Sequence, residues 1–562
     1  MPGRRAVTVD ADSYRLTGPV RDAWRADEQD LFSQGVQDAI SGMPDIVTAV
    51  TQKVATLTSD SAVSGLFTGS STARASLPVR YLAGAGIDPT GASDSSAAVQ
   101  AMLTASADGD TLMVPAGAVL RLNAGITISK RIRLTGGGEL RFRGPGDATK
   151  PLVSITTDGV HLDGVTMTNP DGIQTYGVYV QANVFRATGN RIVGFQDGIQ
   201  VAATGEYHDV VIASNQVLDI IGNGGGPSSN SSAGEAAGDG IVVWGAAATI
   251  VGNRVTCKAG RDARIGIHVE SLATQETTAY AHADSLTTIV GNVITGQFRR
   301  GIVDEGVQHT TIVGNVIADA TWWGIALIGL AHHSIVAQNT IKYTRTAADN
   351  QGSSATPIRA GVMLYCIQEA LSDVSVSDNT IRAVNTATMP YGIVLQAHSS
   401  VTAGAARGLQ IVQNRIWDES STVTMGIALL AATTDVQILD NYVSRFTAIG
   451  ISTYIATQLI VAGNRINGPG TAANVFGIKV DGGAAEASID DNTIRDVATG
   501  IGAFFRTILT TANNNTIKNA SVGIDLYQSS GTAAVNSNLF YNVAIRRQNL
   551  PANTVQVGNA PS

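Results

Sequence analysis

The sequence predicts an all-β protein: a parallel β-helix of about 13 or more coils, preceded by an α-helical head segment. Three observations carry this. The pattern aliphatic-x-x-Asn-x-aliphatic followed by Gly-Ile recurs along the chain, as in ATGNRIVGFQDGI, TIVGNVIADATWWGI and ASIDDNTIRDVATGI. Its shortest period is 23 residues, with 8 or 9 from Asn to Gly, a length that holds short strands and corners. Finally, the chain has 61 Gly but only 5% aromatic and 15% charged residues, a composition suited to short strands and tight turns. An array of βαβ units is the alternative, but no stretch between the marks has a helical apolar period.

From the N-terminus, RDAWRADEQDLFSQGVQDAI reads as an amphipathic helix with Trp24, Leu31, Phe32 and Ile40 on its apolar side. Val47, Val50, Val54 and Leu57 follow at a/d spacing, enough for a small bundle beside a larger body. GLFTGSSTARASLP reads as a linker. These elements make residues 1–78 an expected attachment and trimerisation segment.

Residues 79–150 are the expected entry and cap. Gly91, Asp94, Ala98, Val99 and Gln100, then Val114, Pro115 and Gly117, make a pattern that resembles the entry segment of the pectate-lyase-like superfamily. That superfamily includes many phage tailspikes and has a right-handed β-helix. Ser95 stands where the family more often has a second acid. The resemblance implies a short helix that plugs the open end of the coil stack, with no catalytic part. A first coil needs such a cover, because a bare strand edge invites association.

The coils are expected over 151–545, with 546–562 as a tail or cap. Thirteen asparagines from Asn190 to Asn538 and thirteen glycines from Gly177 to Gly523 mark them. Both residue types tolerate the left-handed backbone of a sharp corner, and stacked asparagines can hydrogen-bond from coil to coil. Side chains one and three residues after each glycine should face the core, and those two and four after it should face outward.

Reading the outward column four after glycine gives Trp244, Glu270, Glu305, Ile328 and Tyr365 on successive coils. An indole, two stacked acids and a tyrosine suit a groove for an extended sugar chain. Two like charges so close should split their pKa values, as paired-carboxylate glycosidases require. Glu270 and Glu305 are therefore the candidate acid and its partner. Asp304 joins them as an acid expected to face the core, held by Arg299 or Arg300 or released by a bend. Trp244, His268, Tyr365 and Arg300 are candidate substrate-binding residues. Asp197 and Asp239, each just before a glycine, form a second-choice catalytic pair, although Asp-Gly also suits a corner by turn chemistry alone. Long insertions at Asn215–Gly240, Gly266–Asn292 and Asn339–Gly361 cluster on this stretch, as binding loops of a solenoid do.

The net charge of −8 disfavours a nucleic-acid partner, and no apolar run is long enough for membrane insertion. Cys257 and Cys366 suggest neither a disulfide framework nor a zinc motif, so no metal or cofactor is expected. No signal peptide is visible at the N-terminus. The expected protein is a homotrimeric tailspike-like component of a virion tail, joined to the tail or baseplate through residues 1–78. It would bind and hydrolyse a bacterial surface polysaccharide. The alternatives are a polysaccharide lyase, a non-enzymatic receptor-binding or structural tail protein, and a secreted extracellular enzyme.

Overall fold

The computed structural model describes residues 79–550 apart from 146–150, 206, 223–237, 262, 272–285, 330, 345–358, 368–369, 385–388, 399–400, 402–403, 420–422, 472–473, 483–484, 505–507 and 528–533. The expected head, 1–78, lies outside the described residues.

Every strand pairing among the described residues joins parallel strands of successive coils, as in Ile267↔Ile302 and Ile302↔Ile325. One sheet has 17 strands and a second has 29. In the larger sheet, the strands that follow the asparagines and those that carry the glycines form two ladders. The ladders fuse into single long strands at Thr493–Ala503 and Thr516–Asp525. The one described helix, α1 (Ser96–Thr104), lies in the entry segment and buries Val99 and Leu103 against the coil stack. Coils begin earlier than residue 151, since Thr111–Met113 already pairs with Arg133–Thr135. The last described strand, Leu539–Gln548, runs past residue 545. No helix among the described residues is long and apolar enough to cross a membrane.

The thirteen asparagines form one unbroken buried ladder. Asn315 Nδ2 donates to Asn339 Oδ1 at 2.9 Å, and the Asn315 backbone N–H donates to that same oxygen at 2.9 Å. Its Nδ2 also reaches Ile289 O on the preceding coil. The same links recur from Asn190 through Asn538. The left-handed residue is not the asparagine but the one before it: Gly314 (φ 66°), Gln338 (φ 56°) and Asp440 (φ 56°). The asparagine amide is fully used along the stack, so the neighbour takes the bend.

The marking glycines likewise serve a different need from the one expected. A Cβ on Gly324 would lie 2.4 Å from Ile341 Cγ2 and 2.7 Å from Gly361 O. These glycines permit close approach of coils and do not supply a corner of positive φ.

Four strands position the site: β1 (Asp239–Trp244), β2 (Ala263–Glu270), β3 (Phe298–Glu305) and β4 (Trp323–Ile328). Ile267, Ile302 and Ile325 face the core as expected, and all are buried. The outward face differs from expectation because it is also covered: Val303, Ala326, Met363 and Val394 form a second buried apolar layer on it.

Candidate functional site

The predicted column is real. Trp244 pairs in register with Glu270, Glu270 with Glu305, Glu305 with Ile328, and Ile328 with Tyr365. Because each pair belongs to adjacent strands of one parallel ladder, residues dozens apart in the chain become stacked neighbours. What stands there is no open groove. His268 is 1% exposed and Glu270 is 4% exposed, with Glu305 and the half-buried Trp244 at the more open edge.

His268, expected to touch substrate, sits at the centre of the acids. Its Nε2 lies 3.2 Å from Glu270 Oε2 and 3.4 Å from Glu305 Oε2. Its Nδ1 lies 3.2 Å from Asp239 Oδ2, and the Trp244 ring stands edge-on with centroids 5.7 Å apart. Asp239 is also gripped by Arg264, whose Nε donates to Oδ1 at 2.9 Å while Nη2 reaches Oδ2. Asp197 closes the chain, its Oδ1 accepting the Gly238 and Asp239 backbone N–H groups at 2.7 Å each.

The two acidic pairs that looked like rivals in the sequence are therefore two ends of one network. Asp239 is no solvated turn residue, since it is 1% exposed and paired. Arg264 escaped the sequence reading. The signal was its place two residues before Gly266, which sets it on the same strand as His268 and Glu270.

Burial disfavours every charge here, and the neighbours decide who keeps one. Burial pushes Asp197 up to about 7, helped by Asp239. Asp239 meets the same burial, but the Arg264 guanidinium and His268 hold it well below the usual carboxylate range. For His268, burial opposes protonation, yet the adjoining Asp239 and Glu305 carboxylates raise it to about 9. Burial lifts Glu270 to about 7, with His268 opposing and Glu305 reinforcing.

Asp304 corrects an expectation. It does face the core, on a regular strand paired with Val269 and Leu327, so no bend releases it. It is fully buried and forms an ion pair with neither Arg299 nor Arg300. Val307 N–H donates to Oδ1 at 3.0 Å, and Oδ2 has no hydrogen-bond partner. Burial pushes its carboxyl up to about 7, against the opposing influence of Thr310 and Val307. It is a fully buried core acid on the far side of the sheet from Glu305. Arg300 instead stacks over Trp322 and Trp323, 4.9 Å from each ring. Tyr365 stays in the column, two coils beyond Glu305 and half-buried.

The described residues bring together one set of donor atoms suited to a metal: His268, Glu270 and Glu305, all within 4.8 Å of one another. The same set can exchange protons.

These coils place the protein among the right-handed β-helix proteins. The family described as "Right handed beta helix region" matches residues 239–438 and 419–540, more than half of the chain, and the chain belongs to it. Among solved structures, it is similar to a double mutant of the tailspike protein of E. coli bacteriophage HK620. The TM-score is 0.52 at 13% identity, covering 85% of this chain and 80% of that one. A single mutant of that tailspike in complex with a pentasaccharide gives a TM-score of 0.51 at 12% identity, with the same coverage. The similarity is one of fold, related to that of phage tailspike proteins. No curated protein matches the chain.

Proposed function

We propose that this protein is a homotrimeric tailspike-like component of a virion tail that binds and depolymerises a bacterial surface polysaccharide by glycosidic hydrolysis. The observation that carries the reading is the convergence of Glu270 and Glu305, from successive coils, beside Trp244. A glycosidase needs two carboxyl groups, one to protonate the leaving oxygen and one to attack or to activate water. Glu270, the more buried, suits the acid, and Glu305 suits the nucleophile. Their nearest donor atoms lie within 4.8 Å, on the side of the retaining class, whose carboxyls stand about 5–5.5 Å apart.

In the first step Glu270 gives its proton to the glycosidic oxygen as Glu305 bonds the anomeric carbon and the leaving sugar departs. In the second, Glu270 takes a proton from water, which displaces Glu305. The pentasaccharide held by a tailspike of the same fold supports a glycan as the ligand class.

The test is incubation with purified surface polysaccharides and assay of new reducing ends, with the first-formed anomer read by NMR. Reducing ends without ultraviolet absorption are expected. An unsaturated, absorbing product would mean a lyase. The deep burial of Glu270 favours a second reading, a glycan-binding tail protein without cleavage; binding with no new ends across the panel would establish it.

A further inference from the structure

We infer that His268, Glu270 and Glu305 form a binding site for a divalent first-row transition ion of the zinc class. The inference goes beyond the cleavage reading and can be tested without a sugar.

His268 is 1% exposed, and its Nε2 makes no hydrogen bond, although Glu270 Oε2 and Glu305 Oε2 lie 3.2 and 3.4 Å away. A buried ring nitrogen facing two carboxylates outside hydrogen-bonding geometry calls for an occupant. The spacing fits one. A tetrahedral ion with bonds of about 2.0–2.1 Å holds its ligands roughly 3.3 Å apart, which is the separation of both carboxylate oxygens from Nε2. All three donor atoms lie within 4.8 Å of one another.

The surroundings fit as well. Metal-bound histidines commonly give their other ring N–H to a carboxylate, which fixes the tautomer and the ring. Here Nδ1 lies 3.2 Å from Asp239 Oδ2, and Arg264 grips that carboxylate in turn. An incoming ion would displace the proton on Nε2 while Nδ1 keeps its own against Asp239, leaving the Nε2 lone pair directed between the glutamates. Two carboxylates balance a 2+ charge. An imidazole among the donors selects the zinc class over calcium or magnesium, which prefer all-oxygen shells. Three protein ligands leave a fourth position for water. Sequence spacing stacks Glu270 on Glu305 and puts His268 on the same face, but it does not show that Nε2 faces both carboxylates. A bound ion would tie up both glutamates, so it would silence the proposed cleavage.

The test uses the full chain, stripped with EDTA and titrated with Zn²⁺ by calorimetry and with Co²⁺ by visible absorption. One ion per chain is expected, with Zn²⁺ displacing Co²⁺. The tryptophan fluorescence should change, and Trp244→Phe should remove that change, because the ring stands 5.7 Å from His268. His268→Gln and Glu305→Gln should each weaken binding by roughly 100-fold or more, and Asp239→Asn by about 10–100-fold. The inference is overturned if the stripped protein takes up no stoichiometric Zn²⁺, if Ca²⁺ binds more tightly, or if folded His268→Gln binds as well as the parent.

Should His268→Gln fail to fold, X-ray absorption on the Zn²⁺-loaded parent decides. One imidazole with oxygen donors is expected, and a shell of oxygen alone overturns the site. Cleavage is assayed separately in EDTA, so the hydrolase reading and the ion site can fail independently.

Discussion

Asp197 shows how a buried network records pH. Its carboxyl is held near 7 in the folded chain against a usual value of 3.8, facing Asp239, Arg264 and Tyr176. Below about pH 4 it is protonated in both folded and unfolded chains. As pH rises toward 7, the unfolded chain gives up this proton and the folded chain retains it, so stability falls across that window and levels off above it. Asn keeps the acceptor for the Gly238 and Asp239 N–H groups and carries no such loss. Asp197→Asn is therefore expected to match the parent in thermal unfolding near pH 4. At pH 8 it should exceed the parent by on the order of 4 kcal/mol. Equal differences at both pH values would contradict the assignment. The acids were legible one at a time, but the network was not. His268 and Arg264 meet Asp239 only because two coils stack, and the burial of the outward face has no mark in any single repeat.

Among the elements, the asparagine ladder and the glycine contacts hold the coils in register. Asn441 donates to Asn464 Oδ1 and Ile411 O, and its own Oδ1 accepts from Asn414 N and Nδ2. Asn441→Ala strands several of these buried groups and should cost roughly 2–5 kcal/mol, read as a lowered unfolding midpoint or faster unfolding. Gly324→Ala forces a Cβ against Gly361 O and Ile341, whereas Gly314→Ala meets nothing and strains only its own φ. The first should lower the midpoint more than the second. Asparagines and glycines could be read from the sequence because one chemical need recurs in every coil. The left-handed residue before each asparagine could not, because Gly, Ser, Gln, Asp and Asn all fill it.

For the whole molecule, the fold class was legible because a solenoid repeats its contacts, so a period in the sequence is a period in space. Assembly is not periodic and has no comparable signature. The proposed trimer should appear in light scattering of the full chain as three times its 58.0 kDa mass; a stable monomer would remove that proposal and weaken the virion reading. The central claim, that stacked acids from successive coils cut a glycan, is tested most directly by comparing reducing-end release by the parent, Glu270→Gln and Glu305→Gln. Glycan binding is followed in parallel on the same polysaccharide. Each variant should lose about 100-fold or more in rate while still binding. Full activity in both variants would contradict the account.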